Sequence, residues 1–164
     1  MIVRELTPDD AEAFYRIRHE GLRDTPMAFA ASPEDDRASS VEATRELLDA
    51  GPSTIFGAFD PELVGVVGAV RNHHLKMAHK LHVWGVYVSP AGRGRGIGEA
   101  LLRAVIAYAE EVPGIDWLQL SVSSTTPAAK RLYERVGFEV WGIEPDALRY
   151  AGESGDELHM ARRV

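Results

Sequence analysis

The chain has 164 residues, 45% of them hydrophobic and 8% aromatic, with a formal net charge of −7. That size and balance describe an ordinary globular domain with room for a proper core, and the acidic charge argues against a protein that grips nucleic acid through a basic face. There is no cysteine, which removes disulfides, thiolate metal centres and cysteine nucleophiles. No stretch has signal-peptide or membrane-span character, so a cytoplasmic location with no membrane partner is the default expectation.

Ile2 to Leu6 alternates as a short strand does. Thr7-Pro8-Asp9-Asp10 reads as a helix start, with proline at the first helical position and acids in the first turn. Ala11, Phe14, Ile17 and Leu22 carry that helix to about Arg23, where Asp24-Thr25-Pro26 ends it. The next segment is irregular and acidic (Glu34, Asp35, Asp36), a run whose default reading is solvated surface. A second helix is expected over Val41 to Leu48, then strands over Thr54 to Phe59 and Leu63 to Val70 joined by the Asp60-Pro61-Glu62 turn.

Arg71 to Lys80 reads as a polar loop, and Leu81 to Val88 as the strand after it. Strict alternation puts His82, Trp84, Val86 and Val88 on one face and Leu81, Val83, Gly85 and Tyr87 on the other. A helix from about Gly96 to Glu111 shows Ile97, Ala100, Leu101, Ala104, Val105 and Tyr108 on one side. Trp117 to Val122 is a strand, Ala128 to Val136 a helix with Thr126 at its N-cap and Gly137 as a left-handed C-terminal cap. Phe138 to Ile143 and Glu157 to Ala161 are the last strands, separated by a polar loop carrying Glu144, Asp146, Arg149, Tyr150 and Asp156. The order is β-α-α-β-β-β-α-β-α-β-β, an α/β fold with a mixed sheet flanked by helices, and no linker or repeat divides residues 1–164, which read as a single domain.

One stretch is chemically specific. Between the strand ending at Val88 and the following helix lies Ser89-Pro90-Ala91-Gly92-Arg93-Gly94-Arg95-Gly96-Ile97-Gly98. Amides in the first turn of a helix lack intrahelical partners and share the positive end of its dipole, so such a loop suits a phosphate or diphosphate. Glycines let a ligand reach the backbone, and Arg93 and Arg95 add planar cations. The dinucleotide fingerprint fails from every starting glycine, and the Gly-Lys-Ser/Thr ending of a triphosphate loop is missing.

Arg93-Gly94-Arg95-Gly96-Ile97-Gly98 resembles the Arg/Gln-x-x-Gly-x-Gly/Ala signature of the GNAT superfamily of N-acetyltransferases, and Ala129-x-x-Leu132-Tyr133-x-x-x-Gly137-Phe138 resembles a second block of that family. The resemblance is specific from Val83 to Phe138. It implies a GNAT-like sheet, acetyl-CoA as cosubstrate, and transfer of its acetyl group to a primary amine of a small molecule or protein in a ternary complex. It further implies that Arg93, Gly94, Arg95, Gly96, Ile97 and Gly98 hold the diphosphate and that Val86, Tyr87 and Val88 lie beside the pantetheine arm, with a backbone amide near Val88 polarising the thioester. Tyr133 is implied as the acid that protonates the leaving thiolate. Homodimers are common among proteins of this kind. Where the family often has asparagine, seven positions before the tyrosine, this chain has Thr126, and that role is not transferred.

The base stays open among His82, His159 and Glu20. His73, His74, His79 and His82 lack the tight ligand pairs and supporting carboxylates of a zinc site, so no metal is expected. Two other readings compete: a non-catalytic acyl-CoA sensor, which the presence of Tyr133 disfavours, and a Gly-Arg RNA-binding module, which the acidic charge disfavours. The acceptor pocket is expected from residues 24–40 and 144–156.

Overall fold

The computed structural model describes residues 1–164. In chain order the elements are β1 (Ile2–Glu5), α1 (Ala11–Asp24), α2 (Val41–Ala50), β2 (Ser53–Phe59), β3 (Leu63–Arg71), β4 (Lys80–Val88), α3 (Ile97–Glu111), β5 (Trp117–Ser123), α4 (Pro127–Arg135), β6 (Glu139–Tyr150) and β7 (Glu153–Arg163). The expected order is the observed one. Pro8 to Asp10 winds as a tight 3-10 turn before α1 begins, and α2 starts where Ser40 Oγ accepts the amide of Ala43 at 3.0 Å, satisfying one of the helix's free donors.

The strands form one sheet in the order β1-β2-β3-β4-β5-β7-β6, antiparallel everywhere except between β4 and β5. Its two faces bury separate cores. On one face α3 and α4 pack Leu101, Leu102, Val105, Tyr133 and Val136 against Val83, Leu118, Phe138 and Met160. On the other, α1 brings Phe14 and Ile17 onto Leu6, Ile55, Val66 and Tyr87. Leu101 is fully buried, and truncating such a leucine to alanine costs about 2–5 kcal/mol. The α3 stripe lies slightly off its expected position: Leu102 and Ala109 are buried with Ile97, Leu101 and Val105, while Ala100, Ala104 and Tyr108 lie at its margin.

The strict alternation expected for β4 fails at Gly85. Tyr87 pairs with Val66 and Trp84 with Gly68, so two β4 residues, Gly85 and Val86, lie opposite the single Val67 of β3. This is a β-bulge, and Gly85 makes it possible with φ of +63°. The inserted residue reverses facing beyond it. Val86 and Val88 join Val83 on the α3 side, and Tyr87 joins Trp84 on the α1 side. The bulge also bends β4 away from β5, which pairs with it only from Lys80–His82 to Trp117–Gln119. Beyond that the two strands part, and a cleft opens in the middle of the sheet.

The expected polar loop between the last two strands is instead mostly ladder. β6 and β7 pair on to Tyr150 and Glu153, turning at Ala151 and Gly152, both left-handed. Their outer ends are solvated on both sides, so no hydrophobic alternation marks them. A bulge between Glu144 and Leu148 holds Asp146 at positive φ with its amide on Asp156 Oδ1 at 2.8 Å.

Candidate active site

The glycine loop folds as its composition demands. Gly94 and Gly96 hold φ of +75° and +76°, conformations costly for residues with a Cβ, and Gly96 is the N-cap of α3. No carbonyl of the helix lies behind the amides of its first turn, so they point outward together. Arg93 is drawn back across the loop: its guanidinium pairs with Asp24 at the end of α1, its Nε donates to Val88 O at 3.1 Å, and it lies 5.7 Å from the Tyr87 ring. Arg95 pairs with Asp60 in the β2–β3 turn. Both loop cations thus have carboxylate partners within the chain.

Tyr87 is buried on the α1 side, and its hydroxyl donates to Glu20 at 3.0 Å and Asp24 at 3.1 Å. Burial, then those two carboxylates, raise its pKa. Asp24 is held below the usual carboxylate range by Arg93 first and by Tyr87 after it.

The loop sits at one end of the cleft between β4 and β5. This cleft has a volume of about 390 Å³, with walls from Val83 to Val88 on β4, Leu120 to Ser123 on β5, and Ala129, Leu132 and Tyr133 on α4. Val86, Tyr87, Val88 and Arg93 therefore border the same space as Tyr133. Tyr133 is 7% exposed, packs edge-on against Phe138, and hydrogen-bonds to no group of the chain through its hydroxyl. Burial raises its pKa, so the phenol keeps its proton through any ordinary assay pH. Thr126 stands at the N-cap position of α4, but its hydroxyl donates to Ser123 O at 2.9 Å instead of capping the helix, and it borders the cleft.

A second cavity of about 510 Å³ lies on the α1 face. It shares Ala28, Phe29, Val83, Trp84, Gly85 and Ser121 with the cleft, so the two spaces meet at the bulge. Residues 28–31 and 35–38 line it, from the first of the two segments expected to form the acceptor pocket, whereas no residue of 144–156 does; the neighbouring Glu157 does. Arg18 and Asp36 form a buried ion pair at 2.8 Å in its wall, with the Arg18 guanidinium over Phe29 and Trp84. Asp36 belongs to the acidic run that reads as surface; the partner that buries it comes from another element.

Of the candidate bases, His82 lines this second cavity. The residue is exposed at the cavity wall, and partial desolvation, then His159, lowers its pKa. Glu20 borders neither space and accepts the Tyr87 hydroxyl. His159 hydrogen-bonds Ser121, which borders both. The histidines of the β3–β4 connection do not converge; His73 and His74 stack on each other at 3.9 Å, and no three His, Asp or Glu side chains of the chain gather as metal ligands. Of the residues that line these spaces, Asp36 falls within the segment expected for the acceptor, whereas nothing in the sequence reading singles out Arg18, Ser121 or Glu157. The one available signal was in β5, where Gln119, Ser121 and Ser123 alternate with apolar residues and so mark a polar face.

The profile of the Acetyltransferase (GNAT) family matches residues 11–138. The chain belongs to this family. A mycothiol acetyltransferase of Salinispora arenicola is 32% identical over 131 residues, covering 74% of this chain and 41% of the relative. This GNAT chain thus spans about two fifths of the length of the mycothiol acetyltransferases it matches. The L-amino acid N-acetyltransferase AaaT of Escherichia coli is 28% identical, with 99% of this chain and 97% of the relative aligned. Among solved structures, a GNAT phosphinothricin acetyltransferase from Sinorhizobium meliloti in complex with acetyl-CoA superposes with a TM-score of 0.85 at 19% identity, covering 99% of this chain and 88% of that one, a likeness of fold. No helix of the chain is long and apolar enough to cross a membrane.

Proposed function

We propose that residues 1–164 act as one acyl-transfer unit that moves the acetyl group of acetyl-CoA to the primary amine of a small molecule. The observation that carries this reading is the meeting of two cavities at the Gly85 bulge, one bordered by Tyr133 and reaching the glycine loop, the other walled by aromatic and acidic groups. Acetyl-CoA supplies the activated acyl group. The loop at residues 93–98 binds its diphosphate through the amides from Gly94 onward, the Arg93 amide being taken up by Pro90 O. The edge of β4 at Val86, Tyr87 and Val88, which β5 leaves unpaired, accepts the extended arm as an added strand would be accepted.

An amide near Val88 donates to the thioester oxygen as charge grows there, worth ~3 kcal/mol for one well-aimed donor. The amine comes in from the second cavity, and Tyr133 gives its proton to the leaving sulfur. Its raised pKa suits that task, since an acid must still hold its proton when the thiolate departs. The names of the Salinispora and Escherichia relatives favour a small acceptor, the second being an L-amino acid N-acetyltransferase. Phe14, Phe29 and Trp84 suit an apolar side chain on that acceptor, and Asp35 and Glu157 suit its ammonium group.

Calorimetry with acetyl-CoA and release of free CoA on addition of each of the common L-amino acids test the reading. Saturable binding with turnover of some of them is expected. Binding without turnover of any amine would favour a sensor instead.

A further inference from the structure

Acyl transfer requires the ammonium form of the acceptor to lose a proton before its nitrogen can attack, and Tyr133, buried and protonated, is suited only to giving one. The carboxylate and imidazole groups on the α1 face of the sheet form a connected set leading away from the place where the cavities meet. Ser121 on β5 borders both cavities. Its Oγ lies 2.8 Å from His159 Nδ1 on β7, directly opposite in the register. His159 Nε2 lies 2.9 Å from Glu144 Oε2 on β6. The Glu144 side chain is 52% exposed and that of His159 28%, so the chain of contacts runs from the cavity wall to solvent. Trp141 stacks on the imidazole, with ring centroids 5.3 Å apart, and fixes its plane.

Resting on the acyl-transfer reading above, we propose that Ser121, His159 and Glu144 form a proton relay that collects the proton lost by the acceptor ammonium and delivers it to solvent. The hydrogen-bond chemistry sets its direction. A carboxylate only accepts, so Glu144 takes the Nε2–H of His159, which leaves Nδ1 as an acceptor for the Ser121 hydroxyl. The ammonium N–H passes its proton to Ser121 Oγ while the Ser121 proton moves to Nδ1. The imidazolium so formed is held by Glu144 until water removes the proton. The freed lone pair on nitrogen forms the new bond to the acyl carbon, and the carbon–sulfur bond breaks with its electron pair on sulfur. Nitrogen gives its second proton to water as the amide forms, and the Tyr133 phenolate left after protonating sulfur takes one proton back from water, so the net products are the amide, CoA thiol and one proton.

Other groups face His159. Glu157, on the same strand and directly opposite Glu144, lines the acceptor cavity, and burial and then Glu144 keep its carboxyl above the usual range. His82 faces it from β4. Neither of these hydrogen-bonds to a side chain that borders both cavities.

The test uses the whole chain, wild type against Ser121→Ala, His159→Gln, Glu144→Gln and Glu157→Gln, with acetyl-CoA and the L-amino acid that gives the fastest CoA release. Ser121→Ala and His159→Gln are expected to lower kcat about 10- to 100-fold at pH 7. Glu144→Gln, at an exposed position that leaves the core intact, is expected to lower it several-fold. Calorimetric affinity for acetyl-CoA stays as in the wild type, which also certifies folding. The loss shrinks as pH rises through the acceptor's own amine pKa, because solution then supplies the free amine; a merely structural defect would reduce the rate equally at all pH.

Variants within two-fold of wild type, a pH-independent loss, or a pH-dependent loss confined to Glu157→Gln would each overturn the relay while acyl transfer stands. A wild-type protein that neither binds acetyl-CoA nor releases CoA would bring down the acyl-transfer reading itself, and the relay with it.

Discussion

The guanidinium of Arg93, on the loop that leads into α3, is paired with the carboxylate of Asp24, the last residue of α1. The helix bordering the second cavity is thereby tied to the loop read as the diphosphate cradle, and Tyr87, which also donates to Asp24, completes the tie. The pair is partly exposed, so its energy is screened, but its sign matters for ligand binding. Asp24 places a negative charge beside the expected position of two phosphates. Asp24→Asn is expected to tighten acetyl-CoA binding about two- to five-fold at low salt, with the gain fading as salt rises. Calorimetry at two ionic strengths checks this. Weaker binding would mean that Asp24 serves mainly to hold Arg93 in place.

Gly96 combines a left-handed backbone with a place at the head of α3, and no atom lies within 4 Å of where a Cβ would project. Gly96→Asp therefore meets no clash. It costs ~1–2 kcal/mol of backbone strain and sets a carboxylate against the phosphates. The expected result is a folded protein with circular dichroism like the wild type and no measurable heat on titration with acetyl-CoA. Retained affinity would remove the loop from the binding site.

Tyr133→Phe keeps the ring packed against Phe138 and deletes only the hydroxyl. A drop in kcat of roughly 10²-fold is expected, with acetyl-CoA affinity unchanged, as for loss of a general acid. Because burial raises the pKa of the phenol, the wild-type rate should show no alkaline fall from this group through pH 9. Steady-state rates from pH 6 to 9 decide the matter. A variant within two-fold of wild type across that range would show that Tyr133 is not the acid.

Arg18 and Asp36 lose most of their water in the wall of the second cavity, and each is compensated by the other. Asp36→Ala leaves a buried guanidinium without its partner, which costs about 3–5 kcal/mol. For a chain of this size, that is a fall in Tm of about 6–20 °C. Differential scanning calorimetry measures it, and a change under 2 °C would mean that water reaches the pair freely.

Near the N-terminus, Arg4 donates to both oxygens of Asp10 and draws its pKa down from 3.8 to about 2. The folded value lies below the unfolded one, so the pair's stabilisation is fully present above about pH 4 and is lost as pH falls toward 2. Asp10→Asn should be less stable than wild type at pH 6 and approach it below pH 3. Urea midpoints at the two pH values give the comparison, and a constant difference would assign the effect to something other than charge.

The local chemistry of the chain determined its elements and its glycine loop. Gly94 and Gly96 adopt left-handed conformations inside the stretch that reads as a phosphate cradle, and Gly137, at +91°, caps α4 as its position suggests. Such features depend on residues a few positions apart, so they are legible in the order of amino acids. Tertiary structure decided everything that depends on partners from distant elements. A single inserted residue at Gly85 reversed the facing of Val86, Tyr87 and Val88 and parted β4 from β5, an outcome of strand pairing that no alternation pattern records. Asp36 reads as surface until Arg18 from α1 meets it, and Ser121 is an ordinary strand serine until β7 and β6 set His159 and Glu144 behind it. Hydrogen bonds and ion pairs between side chains 18, 38 and 15 residues apart form only after the sheet has assembled its register, which is why the second cavity belongs to the fold and not to any motif.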